Sequence, residues 1–198
     1  MKRNTAELKE KLIQTGVTEI KKHGIDRLSL RTVAKSCGVT HATPYRHFKS
    51  KEDYLRVVLK RLSVFLGQEM EKGLQQEQSA RSQLAKMGFN FIAFAQDYPY
   101  FFEALFIKFP FKYMEVTQET IVTTSDLPGF DSFKTIVIKL RKEEGFSNSK
   151  TETLFHFWSF ISGLAILAKS PIGTDLDNEA IQTTINHMLD IYIKGERS

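Results

Sequence analysis

Residues Ser29 to Leu55 read "SLRTVAKSCGVTHATPYRHFKSKEDYL", and the spacing of small, apolar and capping residues in this run decides the fold. Ser29 predicts the N-cap of a short helix that turns Leu30, Val33 and Ala34 toward a core, and Gly38 closes it. Thr40 or His41 opens another short helix ending near Phe48. Pro44 falls in its first turn, where a missing N–H costs little. Ser50, with Asp53 three residues on, makes a near capping box that launches a long helix through Leu55, Val58, Leu59, Leu62, Phe65 and Leu66. Upstream, Thr5 can cap a helix in which Leu8, Leu12, Ile13, Val17 and Ile20 recur at helical spacing, with Gly24 as its stop. Two short helices broken at a glycine make a helix-turn-helix, here about 29–48, whose second helix is the one that enters the DNA major groove. Small residues such as Ala34 and Ala42 let the two helices approach, and aromatics would obstruct both packing and groove.

Charge divides the chain in the same place. Residues 1–62 hold 15 Lys+Arg against 6 Asp+Glu, a net +9, whereas residues 63–198 hold 13 against 17, a net −4. A basic block of that density suits a polyanion. Aromatics divide the other way: only Tyr45, Phe48 and Tyr54 precede residue 63, and 20 of the 23 follow it. We therefore expect a domain over 1–62 that meets charge and a domain over 63–198 that buries something apolar. With 198 residues, 41% of them hydrophobic, the chain can bury a core. No uninterrupted apolar run of membrane-spanning length and no secretory leader is read, so a cytoplasmic protein without membrane partners is expected. The single Cys37 agrees with a reducing compartment.

From about Thr5 to Leu62 the chain resembles the DNA-binding domain of the TetR (tetracycline-repressor) family of bacterial regulators. The resemblance rests on "TVAKSCGV" for the second helix and turn, and on "YRHFKSKEDYL" for the end of the recognition helix and the start of the fourth helix. It implies a DNA-binding set of Ser29, Arg31, Thr40, His41, Ala42, Thr43, Tyr45, Arg46, His47 and Lys51. Chemistry supports several of these roles. Short side chains at Thr40 to Thr43 let a helix N-terminus approach phosphates and base edges, and Ala or Thr can pack on a thymine methyl. Arg46 has the fork for guanine O6 and N7, and equally for a phosphate. Tyr45, His47 and Lys51 resemble phosphate contacts, and Ser29 and Arg31 contacts to the flanking strand. Phe48 reads as a plug of the three-helix core.

The second segment resembles the family's ligand-binding and dimerisation domain less specifically, and the whole chain is expected to be all-α. Eleven aromatics crowd Phe89 to Tyr113, more than one packed helix face needs. Such residues serve a cavity or a core alike. The ligand candidates are Phe65, Phe91, Phe94, Tyr98, Phe102, Phe106, Tyr113, His156, Trp158 and Ser159, for a small hydrophobic or aromatic effector oriented by a few polar groups, Asn90 and Gln96 among them. Trp158 and Gly163 match a Trp-x-x-x-His-Gly pattern of one branch of the family, with Ser162 in place of the histidine. The last two helices imply a homodimer through Phe160, Gly163, Leu164, Leu167, Ile185, Met188, Leu189 and Tyr192, and a two-fold dimer matches a palindromic double-stranded operator.

Other chemistry is sparse. The histidines, at positions 23, 41, 47, 156 and 187, show no metal-ligand spacing, so no metal and no cofactor is expected. No phosphate loop, nucleophile elbow or acid–base pair is read, and so no catalytic residue. The expected function is a ligand-released repressor rather than an enzyme. The rival is a small helical carrier or enzyme that uses the aromatic cavity for an apolar substrate.

Overall fold

The computed structural model describes residues 2–109, 114–116, 121–123, 128–169 and 176–197. Its α-helices are α1 (Lys2–His23), α2 (Leu30–Cys37), α3 (Lys51–Met70), α4 (Ala80–Asp97), α5 (Pro99–Phe102), α6 (Pro128–Glu144), α7 (Lys150–Lys169) and α8 (Asn178–Glu196). A three-residue strand, β1 (Met114–Val116), pairs antiparallel with β2 (Ile121–Thr123), Glu115 standing opposite Val122. This hairpin has no counterpart in the sequence reading, because three residues are too few for an alternating pattern to show. The chain forms two compact units, one of Met1–Ser63 with Tyr100–Pro110 and the other of Val64–Pro99 with Phe111–Ser198.

The first unit is built on α1. Its buried stripe of Leu12, Ile13 and Ile20 meets Leu30, Val33, Ala34 and Cys37 of α2, and Tyr54, Val58, Leu59 and Leu62 of α3 complete the core. Helix α1 begins at Lys2, so Thr5 lies inside it rather than at its cap; no Gly or Pro among Lys2 to Asn4 halts the helix there. Ser29 caps α2 as expected, its Oγ accepting from the Thr32 N–H at 3.0 Å. Ser50 does the same for α3: the Asp53 N–H donates to its Oγ at 3.1 Å, and the Asp53 carboxylate accepts from the Lys49 N–H at 3.0 Å. The second segment of this unit runs through α5 into a π-helical turn, Glu103–Lys108, and Lys108 Nζ pairs with Asp26 at 2.6 Å.

The second unit surrounds α4, against which α6, α7 and α8 all pack. Ser79 and Ser82 cap α4 reciprocally, and the Asp177 carboxylate caps α8 by accepting from the Ala180 N–H at 2.8 Å. Leu84, Met87, Phe91, Phe94, Phe133, Val137, Leu140, Leu154, Phe157, Leu164, Ile181, Ile185 and Leu189 are buried. These aromatics fill the bundle more completely than the expected ligand cavity would leave them.

Candidate nucleic-acid interface

The turn between α2 and the recognition run is fixed from both sides. Gly38 has φ +73°, and Val39 N–H donates to Ala34 O at 3.0 Å, closing α2 as glycine permits at low cost. Lys11 Nζ donates to Cys37 O at 3.3 Å, and Thr15 Oγ1 lies 3.1 Å from Cys37 Sγ, so α1 holds the end of α2. The cysteine is buried and occupied with packing.

The third helical element differs from a regular α-helix. Residues 40–48 wind as tight turns around a 3-10 segment, Pro44–Arg46, with Thr43 N to Thr40 O, Arg46 N to Thr43 O and His47 N to Pro44 O bonds three residues apart. Pro44 has no N–H to reach Thr40 O in α-helical register, which is the physical reason for the tighter winding. The winding sorts the side chains. Pro44 and Phe48 are buried, Phe48 edge-on to Tyr54 with ring centroids 4.9 Å apart. Thr40, His41, Ala42, Tyr45 and Arg46 are exposed, and Thr43 and His47 are half-buried. Arg31 and Lys51 are exposed at the starts of α2 and α3. Ser29 is engaged in its own cap, its Oγ also 2.7 Å from Thr32 Oγ1. All ten candidates therefore belong to one unit, on α2, the turns after it and the start of α3.

The sequence reading passed over Lys9. Its Nζ lies 5.6 Å from the Phe48 ring centroid and adds a cation beside the recognition run. The available signal was its place on α1 one turn before Leu12, which faces the core. Asp53, the one acid capping this end of α3, is held below the ordinary carboxylate range by the Lys49 N–H first and by Arg56 second.

The sequence profile described as "Bacterial regulatory proteins, tetR family" matches residues 12–58. The match lies wholly within the first unit. Solved structures resemble the chain along nearly its whole length: a protein of unknown function from Rhodococcus sp. RHA1 (18% identity, 96% of each chain, TM-score 0.73), a TetR family transcription regulator from Marinobacter aquaeolei VT8 (15%, 96% of this chain and 97% of that one, 0.64), and a TetR-family regulator from Haemophilus influenzae RD (17%, 93% and 96%, 0.62). At such identities the likeness is one of fold. No curated protein sequence matches the chain. The likeness of sequence thus lies in the first unit, and the likeness of fold extends along the chain. Among the described residues no helix is long and apolar enough to cross a membrane.

Beyond the matched residues, the structure separates the ligand candidates. Phe91 and Trp158 line an apolar pocket with Met70, Leu84, Met87, Gly88, Phe133, Phe157, Phe160, Ile161, Ile185, Met188 and Leu189. Its free space is about 30 Å³, room for a water or two. Phe65, Phe94 and Tyr98 make a separate ring cluster, with Tyr98 4.9 Å from Phe65 and 5.4 Å from Phe94. Phe102 and Phe106 stack at 4.9 Å in the other unit, and Tyr113 lies outside the described residues. His156 and Ser159 are exposed on α7 and outside that lining. The expected orienting groups are absent from the lining: Asn90 Nδ2 instead donates to Met70 O and Lys72 O at 3.1 and 2.8 Å.

The dimer candidates divide as well. Leu164, Ile185 and Leu189 are buried in the chain's own bundle, which removes them from an interface. Tyr192 is turned inward: its Oη accepts from Asn148 Nδ2 at 2.5 Å and lies 3.0 Å from His156 Nδ1, with its ring 4.6 Å from that of Phe157. Burial first pushes its phenol pKa up, so it stays neutral. Gly163 and Leu167 are exposed, Phe160 and Met188 half-buried. The apolar outer residues the sequence reading missed are Phe155 and Ile166 on α7 and Ile191 on α8, 49%, 50% and 73% exposed. Ile185 and Leu189 pack into the chain's own bundle, so helical spacing alone did not separate internal from outer apolar residues.

Proposed function

We propose that the chain is a cytoplasmic, non-enzymatic repressor that binds a palindromic operator as a homodimer and is released by a small, largely apolar effector. The observation that carries this reading is the outward set Thr40, His41, Ala42, Tyr45 and Arg46 on a run anchored by the inward Pro44 and Phe48. Anchored turns of this kind present a fork and short side chains on a backbone with little entropy left to lose, in the place a recognition helix occupies. Arg46 reads a guanine or grips a phosphate, and Lys51, Lys9 and Arg31 supply phosphate neutralisation. The outer residues Phe155, Ile166, Leu167 and Ile191 support a two-helix contribution from each protomer, with Gly163 allowing close approach. Effector release requires a ligand that binds the non-operator state better, since equal affinity shifts no population.

The test is selection of a duplex from a randomised library, followed by titration at two salt concentrations beside Arg46→Ala. Enrichment of one palindrome, with salt-sensitive binding weakened by the substitution, is expected. No enrichment over bulk DNA, together with indifference to Arg46, would overturn the reading.

A further inference from the structure

Helix α1 carries a polar stripe beside its apolar one. Lys11, Thr15 and Glu19 recur every four residues, the spacing that puts side chains on one face. Each meets the last turn of α2: Lys11 Nζ donates to Cys37 O at 3.3 Å, Thr15 Oγ1 lies 3.1 Å from Cys37 Sγ, and Ser36 Oγ donates to Glu19 at 3.4 Å. Cys37 Sγ in turn stands 3.9 Å from Lys11 O, so this last residue of α2 is held through both its side chain and its carbonyl. A helix end leaves its last carbonyls without internal partners. The Gly38 and Val39 N–H groups take those of Lys35 and Ala34, and the Lys11 ammonium takes that of Cys37, at the end where a helix favours a cation.

The clamped residue stands close to the recognition run along the chain. Gly38 and Val39 alone separate Cys37 from Thr40, so a rotation of the last turn of α2 passes directly to that run. Its far end is referred to the same place: Phe48 packs edge-on against Tyr54, and the Tyr54 hydroxyl donates to Leu12 O at 2.8 Å. Lys11 and Leu12 are consecutive. One turn of α1 therefore sets both ends of the segment that carries Tyr45 and Arg46.

We propose that Lys11 and Thr15 are positioning residues for DNA recognition, fixing the Cys37 end of α2 so that the run from Thr40 to Arg46 meets base edges in one register. This rests on the DNA-binding part of the function proposed above, and it divides the basic block of 1–62 by role. Lys9 and Lys51 neutralise phosphate, whereas Lys11, two residues from Lys9 on the same helix, commits its ammonium to a protein carbonyl. Binding to unrelated DNA follows the number of phosphates neutralised; binding to a chosen sequence depends also on where the Arg46 fork stands.

The test compares Lys11→Met, Lys11→Arg and Thr15→Val with the parent in the full chain. Without DNA, hydrogen exchange reads the clamp: the Gly38 and Val39 amides should exchange about tenfold faster in Lys11→Met and in Thr15→Val, and as in the parent in Lys11→Arg, which keeps a donor. Lys11→Met and Thr15→Val should each weaken the selected duplex about tenfold, the scale of one lost base contact. Unrelated DNA and the slope of log affinity against log salt should stay as in the parent, and Lys11→Arg should restore binding. The double variant should lose less than the product of the two, since both act through Cys37. A general loss of stability would lower both duplexes together, so the split between them is the mark of positioning. Lys11→Met that weakens both alike and lowers the slope by about 1 would make Lys11 a phosphate contact and overturn the proposal, as would unchanged exchange at Gly38 and Val39. Thr15→Val alters no charge and decides the matter should Lys11→Met not fold. A duplex that Arg46→Ala weakens and these variants do not would remove the positioning role and leave the DNA-binding reading standing; absence of any enriched duplex would overturn both.

Discussion

The Tyr54 hydroxyl donates to the Leu12 carbonyl at 2.8 Å, tying α3 to α1 from inside the core. It can do so because residue 16 is glycine: a Cβ there would sit 2.1 Å from Tyr54 Oη and 3.1 Å from Val58 Cγ2. Burial pushes the Tyr54 pKa well above its ordinary value, so the donor stays protonated. The helix that begins the domain and the helix that leaves it are thus locked by one small and one large residue.

Gly16→Ala should destabilise the chain by about 1–3 kcal/mol through overpacking, despite a helix-propensity gain of about 1 kcal/mol. In a Tyr54→Leu background the same substitution should become neutral or stabilising. Chemical denaturation of the four variants in a double-mutant cycle checks the sign change, and additive effects would refute the lock.

Lys51→Ala and Lys9→Ala should each weaken binding of the selected duplex and of unrelated DNA alike, and each should lower the slope of log affinity against log salt by about 1. Arg46→Ala should weaken the selected duplex more than the unrelated one if its fork reads a base. Titrations at several salt concentrations distinguish the two patterns.

Asp53 gives a pH signature. Its folded pKa is depressed by the Lys49 N–H and Arg56, so its stabilisation is fully present above the ordinary carboxylate value of about 4 and is lost as pH falls through the lower folded value. Asp53→Asn should therefore melt below the parent at neutral pH, with the gap closing under acid conditions. Thermal melts from neutral pH downward measure it, and a gap that widens in acid would contradict the assignment.

Leu167→Glu with Ile191→Glu should give a folded monomer by sedimentation, because both side chains are exposed on the outer face. Leu189→Ala, at a site 1% exposed, should instead cost about 2–5 kcal/mol and leave the dimer's assembly state unchanged. A dimer that survives the double glutamate variant would place the interface elsewhere.

What the sequence by itself determined was local. Ser29, Gly38 and Ser50 announce helix ends because a cap or a positive φ depends on one residue and its near neighbours, and all three act as read. The run that resembles the TetR family was legible for the same reason: its turn chemistry lies within a few dozen consecutive residues. Tertiary structure decided the rest. Helical spacing put Ile185 and Leu189 on a stripe, but which partner that stripe meets depends on α4, far away in sequence, and the answer was the chain's own core. The aromatics of 89–113 could fill a core or line a cavity, and packing assigned Phe94 to one cluster, Phe91 to the pocket wall and Phe102 to the other unit. Residue type fixes how much apolar surface must be hidden, and only the assembled helices fix what hides it.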